Sequence, residues 1–191
     1  MNRAVAAVAV CASIACLATG CVDQTRAAND AIARANAKAK EYRSIDAEVT
    51  RLLDDASSVD FTPEGVRPAI PQLEQARKKV VERQQVVAAV RAAFASIAGL
   101  RVSGEVKAYA TQQVAIADLL AEADAQALVL IDATKEFYER IMAGDAAGAQ
   151  AQALAERILK ASQEIKRLSE TISKKRAEAD AYFEEHLSPG R

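Results

Sequence analysis

Few residues of this chain carry side chains that do chemistry, and the first of interest is Cys21. It ends the stretch "LATGC", and no cysteine follows it. Small residues, Thr19 and Gly20, stand before it, and its thiol has no downstream cysteine to pair with. The only histidine, His186, stands in the terminal "EEHLSPGR". Helical metal sites converge several carboxylates and histidines, and neither Glu-x-x-His nor Cys-x-x-Cys-His occurs here. No glycine-rich phosphate loop, nucleophile elbow or histidine-dependent triad can be assembled. The expectation is a non-enzymatic protein without metal or cofactor.

Residues 4–19 form an apolar run behind one positive charge, Arg3, with no acidic residue before Cys21. This is the layout of a secretory signal peptide over residues 1–20, and it is short for a membrane span of about 20 residues. Leu17, Ala18, Thr19, Gly20 and Cys21 together resemble a bacterial lipobox, although Ala18 stands where leucine is commonest. "SIAC", ending at Cys16, fits less well and leaves Cys21 unexplained. The resemblance implies diacylglycerol on Cys21, cleavage before it, and a lipidated tether over residues 21–23. Several acyl chains, at about 0.8 kcal/mol per buried methylene, hold a protein firmly to a bilayer. The expected location is the extracytoplasmic face of a bacterial membrane. Val22, rather than aspartate, follows the cysteine, which in a Gram-negative host resembles an outer-membrane sorting signal.

Lys and Arg number 25 and Asp and Glu 26; losing Arg3 with the leader takes the net charge from −1 to −2. Such balance argues against nucleic acid, which wants a basic field. With Cys11 and Cys16 in the leader, no internal disulfide is available, so the fold must stand on its core. Alanine abounds, while glycine (7), proline (4) and aromatics (4%) are scarce. Strong helix formers over long windows predict an all-α domain, spanning residues 24–187 and followed by a short tail, 188–191.

Four stripes recur at spacings of three and four, the period of one helix face. They run Ala28 to Ala56, Leu73 to Ile97, Val106 to Ile141 and Ala151 to Tyr182. Arg83 falls on the second. Three segments separate them: a loop over 57–71 with three prolines, "GLRVSGE" with Ser103 as a cap, and "AGDAAG" with Gly144 as terminator and Asp145 as the next cap. Four helices joined by tight turns predict an elongated up-down-up-down antiparallel bundle with heptad-like, alanine-rich packing. A long coiled-coil hairpin or dimer is the alternative, and the oligomeric state stays open.

Helix lengths at roughly 1.5 Å per residue bring the polar stripe members Lys38, Gln113 and Lys175 to one level, about 21 Å along the bundle. They are expected either to form an internal polar layer or to extend their ends into water from the stripe's margin. The same spacing leaves the third and fourth helices longer by roughly 18 Å at the end far from Cys21. That overhang carries Phe137, Tyr138, Ile141 and Met142, with Phe61 on the nearby loop. It is either covered by the loop or open as a surface for an envelope partner. The expected role is a membrane-anchored envelope lipoprotein acting as binding, scaffold or spacer module, with a hydrophobic small-molecule or lipid carrier and a homo-oligomeric coiled coil as alternatives. Replacing Cys21 by serine is expected to move the protein from the membrane to the soluble fraction and to remove the lipid mass from its amino terminus, both readable by fractionation and intact-mass measurement.

Overall fold

The computed structural model describes residues 22–188, with side chains from residue 24; Cys21 and the last three residues lie outside the described residues. Among the described residues the fold is all-α, without strands. The elements are α1 (Val22–Ser57), a four-residue α2 (Pro63–Val66), α3 (Ala69–Ala95), α4 (Gly104–Met142) and α5 (Ala149–His186). No described helix is long and apolar enough to cross a membrane.

The four long helices reverse direction at each connection. At one end, the amide of Arg101, between α3 and α4, donates to the Gln24 side chain at the start of α1. Tyr109 near the start of α4 stacks at 5.5 Å on Phe183 near the end of α5. At the other end, the Tyr138 hydroxyl donates to the Ala56 carbonyl at 3.0 Å. The stripe residues form the core as the helical period requires: Leu52, Leu73, Val80, Ile97 and Leu168 are almost fully buried. Burying a leucine or valine side chain contributes about 1.5–3 kcal/mol.

The breaks follow local backbone chemistry. Residues 57–71 are not all loop. Thr62 caps α2 by accepting the Gly65 amide at 3.1 Å, with Pro63 at the first helical position, where its missing N–H costs nothing. α3 begins at Ala69 and takes Pro71 into its first turn for the same reason. Ser103 caps α4 through the Val106 amide. The segment 143–148 does interrupt the helix. Gly144 adopts φ +74°, its amide reaches Ile141 and that of Asp145 reaches Arg140, the paired bonds of a Schellman ending. Asp145 is therefore not the cap of α5. Gly148 holds that position, and the Asp145 carboxylate instead receives Arg140 at 2.7 Å.

Packing runs in chain order. α1 lies along α3, α3 along α4, and α4 along α5, whereas the fourth side, between α1 and α5, lacks the close backbone approach of the other three. Interhelical ion pairs repeat this order. Glu74 receives Lys135 of α4 rather than being left to its helical neighbour Lys78, Arg77 meets Asp132, and Arg91 meets Asp118. Lys79 reaches Glu48 of α1. No ion pair joins α1 to α5 among the described residues. A Cβ added at Gly65 would overlap the Asp60 carbonyl oxygen, so Gly65→Ala must push the α2 turn off the bundle tip. The expected loss in urea unfolding is about 1–3 kcal/mol.

Candidate functional site

The core is divided. One apolar cluster gathers Ile45, Val49, Leu52, Leu73, Val80, Ala127, Ile131 and Tyr138. A second, nearer the start of α1, gathers Ala31, Ala35, Phe94, Ile97, Val106, Tyr109, Ile116 and Phe183. Between them lies a polar layer made of residues other than those expected. Arg83 of α3 is 7% exposed and Asp124 of α4 is 0% exposed. Arg83 donates through Nη1 to Asp46 of α1, and its Nη2 lies 2.7 Å from Asp124 Oδ1. That second approach pairs the charges without aligning an N–H. Neither Asp124 oxygen has a hydrogen-bond partner among the described residues, nor does Arg83 Nε. Burial raises the Asp124 carboxyl to about 6, with the Arg83 charge pulling the other way. The guanidinium also stands 5.6 Å over the Tyr42 ring, and burial pushes that phenol up to about 12.

The residues expected to form a layer do not come together. The Lys38 and Lys175 ammonium groups are turned outward, each paired one helical turn on, with Glu41 at 2.6 Å and Glu178 at 3.2 Å. Both side chains are nearly half exposed, as long amphipathic stems at a stripe's margin prefer. Gln113 alone faces inward, onto a cavity.

This cavity is lined by residues of all four long helices. It measures about 290 Å³ and opens on the side where α1 and α5 do not close. Its walls are Ala35, Ala39, Val87, Val90, Ala117 and Leu120, with Tyr42 towards the polar layer and Phe94 and Tyr109 at the other end. Small alanines of α1 and α4 line it, so little side-chain volume fills the space between the helices. Burial lifts the Tyr109 phenol to about 12, partly offset by Gln113. Asn36, Arg43, Asp46, Arg176 and Asp180 surround the opening. A second recess of about 600 Å³ on the α4–α5 face is lined mainly by Gln126, Arg157, Lys160, Gln163, Glu164 and Arg167. It is a polar surface trough.

The tip residues are mostly structural. Tyr138 and Ile141 are buried, Phe137 and Met142 half-buried, and α2 with Val66 and Ile70 packs over them. Phe61 is the exception at 66% exposed, lying edge-on to Phe137 and Tyr138 at 6.5 and 6.2 Å. His186 is exposed, stacked on Tyr182 at 4.4 Å and beside Glu185. Among the described residues no three His, Cys, Asp or Glu side chains group as a metal site. Cys21 lies outside the described residues.

No protein-family model, curated protein or solved structure matches this chain. The sequence signal for the polar layer was the charged Arg83 inside an apolar stripe. Asp124 gave none, because it sits beside the α4 stripe and is buried only through α4 serving two neighbours.

Removing one member of the buried pair strands the other. Arg83→Met is expected to cost about 3–5 kcal/mol at neutral pH, with Arg83→Met/Asp124→Leu recovering most of it, as equilibrium unfolding would show. The Asp124 carboxyl, ordinarily at 3.8, stands near 6 in the folded chain. Between those values the folded state holds a proton that the unfolded chain releases, so this group's contribution favours folding at the acid side and declines as pH rises from about 4 to about 6. Asp124→Asn should flatten that part of the stability profile.

Proposed function

We propose that this protein is a non-enzymatic binding module, tethered through lipidated Cys21 to the extracytoplasmic face of a bacterial membrane, that carries an apolar ligand between α1 and α5. The observation carrying the reading is the apolar cavity of about 290 Å³ on the one side of the bundle without close helix packing. Its size is near the lower end for small-molecule sites, which run about 300–1,000 Å³ and combine apolar walls with a few polar groups. A ligand there would replace missing contacts between α1 and α5 and would meet no strongly packed seam on entry. This ranks the carrier role above a plain spacer.

The tether bears on the geometry. α1 starts at Val22, so the bundle would stand on the anchor without an intervening linker. Ala35 at the near end of the cavity lies about 20 Å along α1 from Val22, so the opening would stand clear of the hydrocarbon core. A partner contact at the far tip is a second reading, supported by exposed Phe61 on its aromatic bed.

Native mass spectrometry of protein from its own host is expected to show a retained small apolar adduct. Val90→Trp, which places a large ring in the cavity from a half-buried position, should abolish the adduct while leaving helicity unchanged. Adduct-free protein that also takes up no apolar probe would leave the spacer role.

A further inference from the structure

The rim of the cavity carries both signs, Arg43 and Asp46 from α1 with Arg176 and Asp180 from α5. What distinguishes the space is its shape and the construction of its two ends. It runs with the helix axes. Its α4 wall extends from Tyr109 to Leu120 and its α1 wall from Ala35 to Asp46, each three turns or about 16 Å of helix. A volume of about 290 Å³ drawn out over that length is narrow. The sides are made of small and aliphatic residues, among them Ala39, Val87 and Ala117.

Both ends are aromatic, and each end ring is backed by a residue that does not line the cavity. Towards the polar layer, Tyr42 reaches the space while Arg83, standing 5.6 Å over its ring, does not. Arg83 is itself held by Asp46 and Asp124. At the other end, Tyr109 reaches the space while Phe183 stacks on it at 5.5 Å from outside. Phe94 meets the Tyr109 ring edge-on at 6.1 Å. A ring packed in this way yields little to an added methylene. The slot therefore opens along its length and is stopped at its ends.

We infer that the cavity takes one unbranched aliphatic chain lying along the helix axes, and that Tyr42 and Tyr109 are the specificity-determining residues that limit its length. This rests on the carrier role proposed above and adds the chemical class and size of the ligand. An extended chain advances about 1.2 Å per bond, so about thirteen bonds fill the slot, close to the length of dodecanol. Methylenes up to that length leave water for the slot. Those beyond it emerge through the opening between α1 and α5 and gain nothing.

Uncharged ligands test this without involving the rim. Octanol, decanol, dodecanol and tetradecanol would compete with tritiated decanol in equilibrium dialysis of the full chain carrying Cys21→Ser, without detergent. Affinity is expected to rise about fourfold per methylene up to dodecanol, as burial of each methylene provides, and then to level off. Cyclododecanol, with the same carbon count in a wide ring, should bind at least tenfold more weakly than dodecanol. Tyr42→Phe keeps the stop and should leave the limit at dodecanol, whereas Tyr42→Ala should move it to tetradecanol. Ala39→Leu, three residues before Tyr42 on the same wall and half-buried, should move it below dodecanol. Circular dichroism and thermal unfolding would verify folding, and Ala39→Leu decides the point if Tyr42→Ala does not fold. A continued rise to tetradecanol with Tyr42 intact, or cyclododecanol binding as tightly as dodecanol, would overturn the inference while leaving the carrier role in place. A limit unmoved in the folded variants would overturn the assignment of Tyr42 as a stop. Failure of decanol to bind at all would remove the carrier role together with this inference.

Discussion

The contact between Arg83 and Asp124 is the constraint around which the rest of the bundle is arranged. A fully buried carboxylate is costly unless a countercharge reaches it, and the only way to supply one here is to hold α3 and α4 in register at that level. Asp46 extends the same network to α1. Three helices are thereby fixed at one height, and α5, which takes no part, is held by α4 alone along much of its length. The core is consequently two apolar clusters with a polar layer between them. The cavity begins where that layer ends.

An incompletely closed bundle has an energetic rationale. Alanine faces allow close approach but bury little area per site, so a helix with such a face gains most from one long contact rather than from two partial ones. α1 makes its contact with α3 and α5 makes its contact with α4. Closing the fourth side would require Tyr42 and Tyr109 to find other positions, and both are already committed, one under Arg83 and the other between Phe94 and Phe183.

The tip shows the opposite solution. There the end of α4 presents apolar surface that a short capped turn, α2, covers. Beneath it, Tyr138 of α4 donates to Ala56 at the end of α1, which satisfies one of the carbonyls a helix end leaves without an internal partner. Most residues that look like a partner surface in the sequence are thus part of the core, and Phe61 is what remains outside.

Much of the architecture was legible in the residues themselves. The stripes from Ala28 to Ala56 and from Leu73 to Ile97 mark buried faces because a helix returns to the same side every 3.6 residues. Thr62, Ser103 and Gly144 mark ends because their side chains or backbone freedom suit particular termini. Those are local properties, and local sequence determines them. Which helices leave a gap, which charge meets which, and whether a polar stripe residue turns in or out depend on distances between segments far apart in the chain. Lys38 and Lys175 turned outward because carboxylates one helical turn away and water were nearer than any buried partner. Asp124 turned inward because α4 has a neighbour on each side. Only the packed tertiary structure decided these, since burial and pairing are set by what another helix places opposite, and no single segment encodes that.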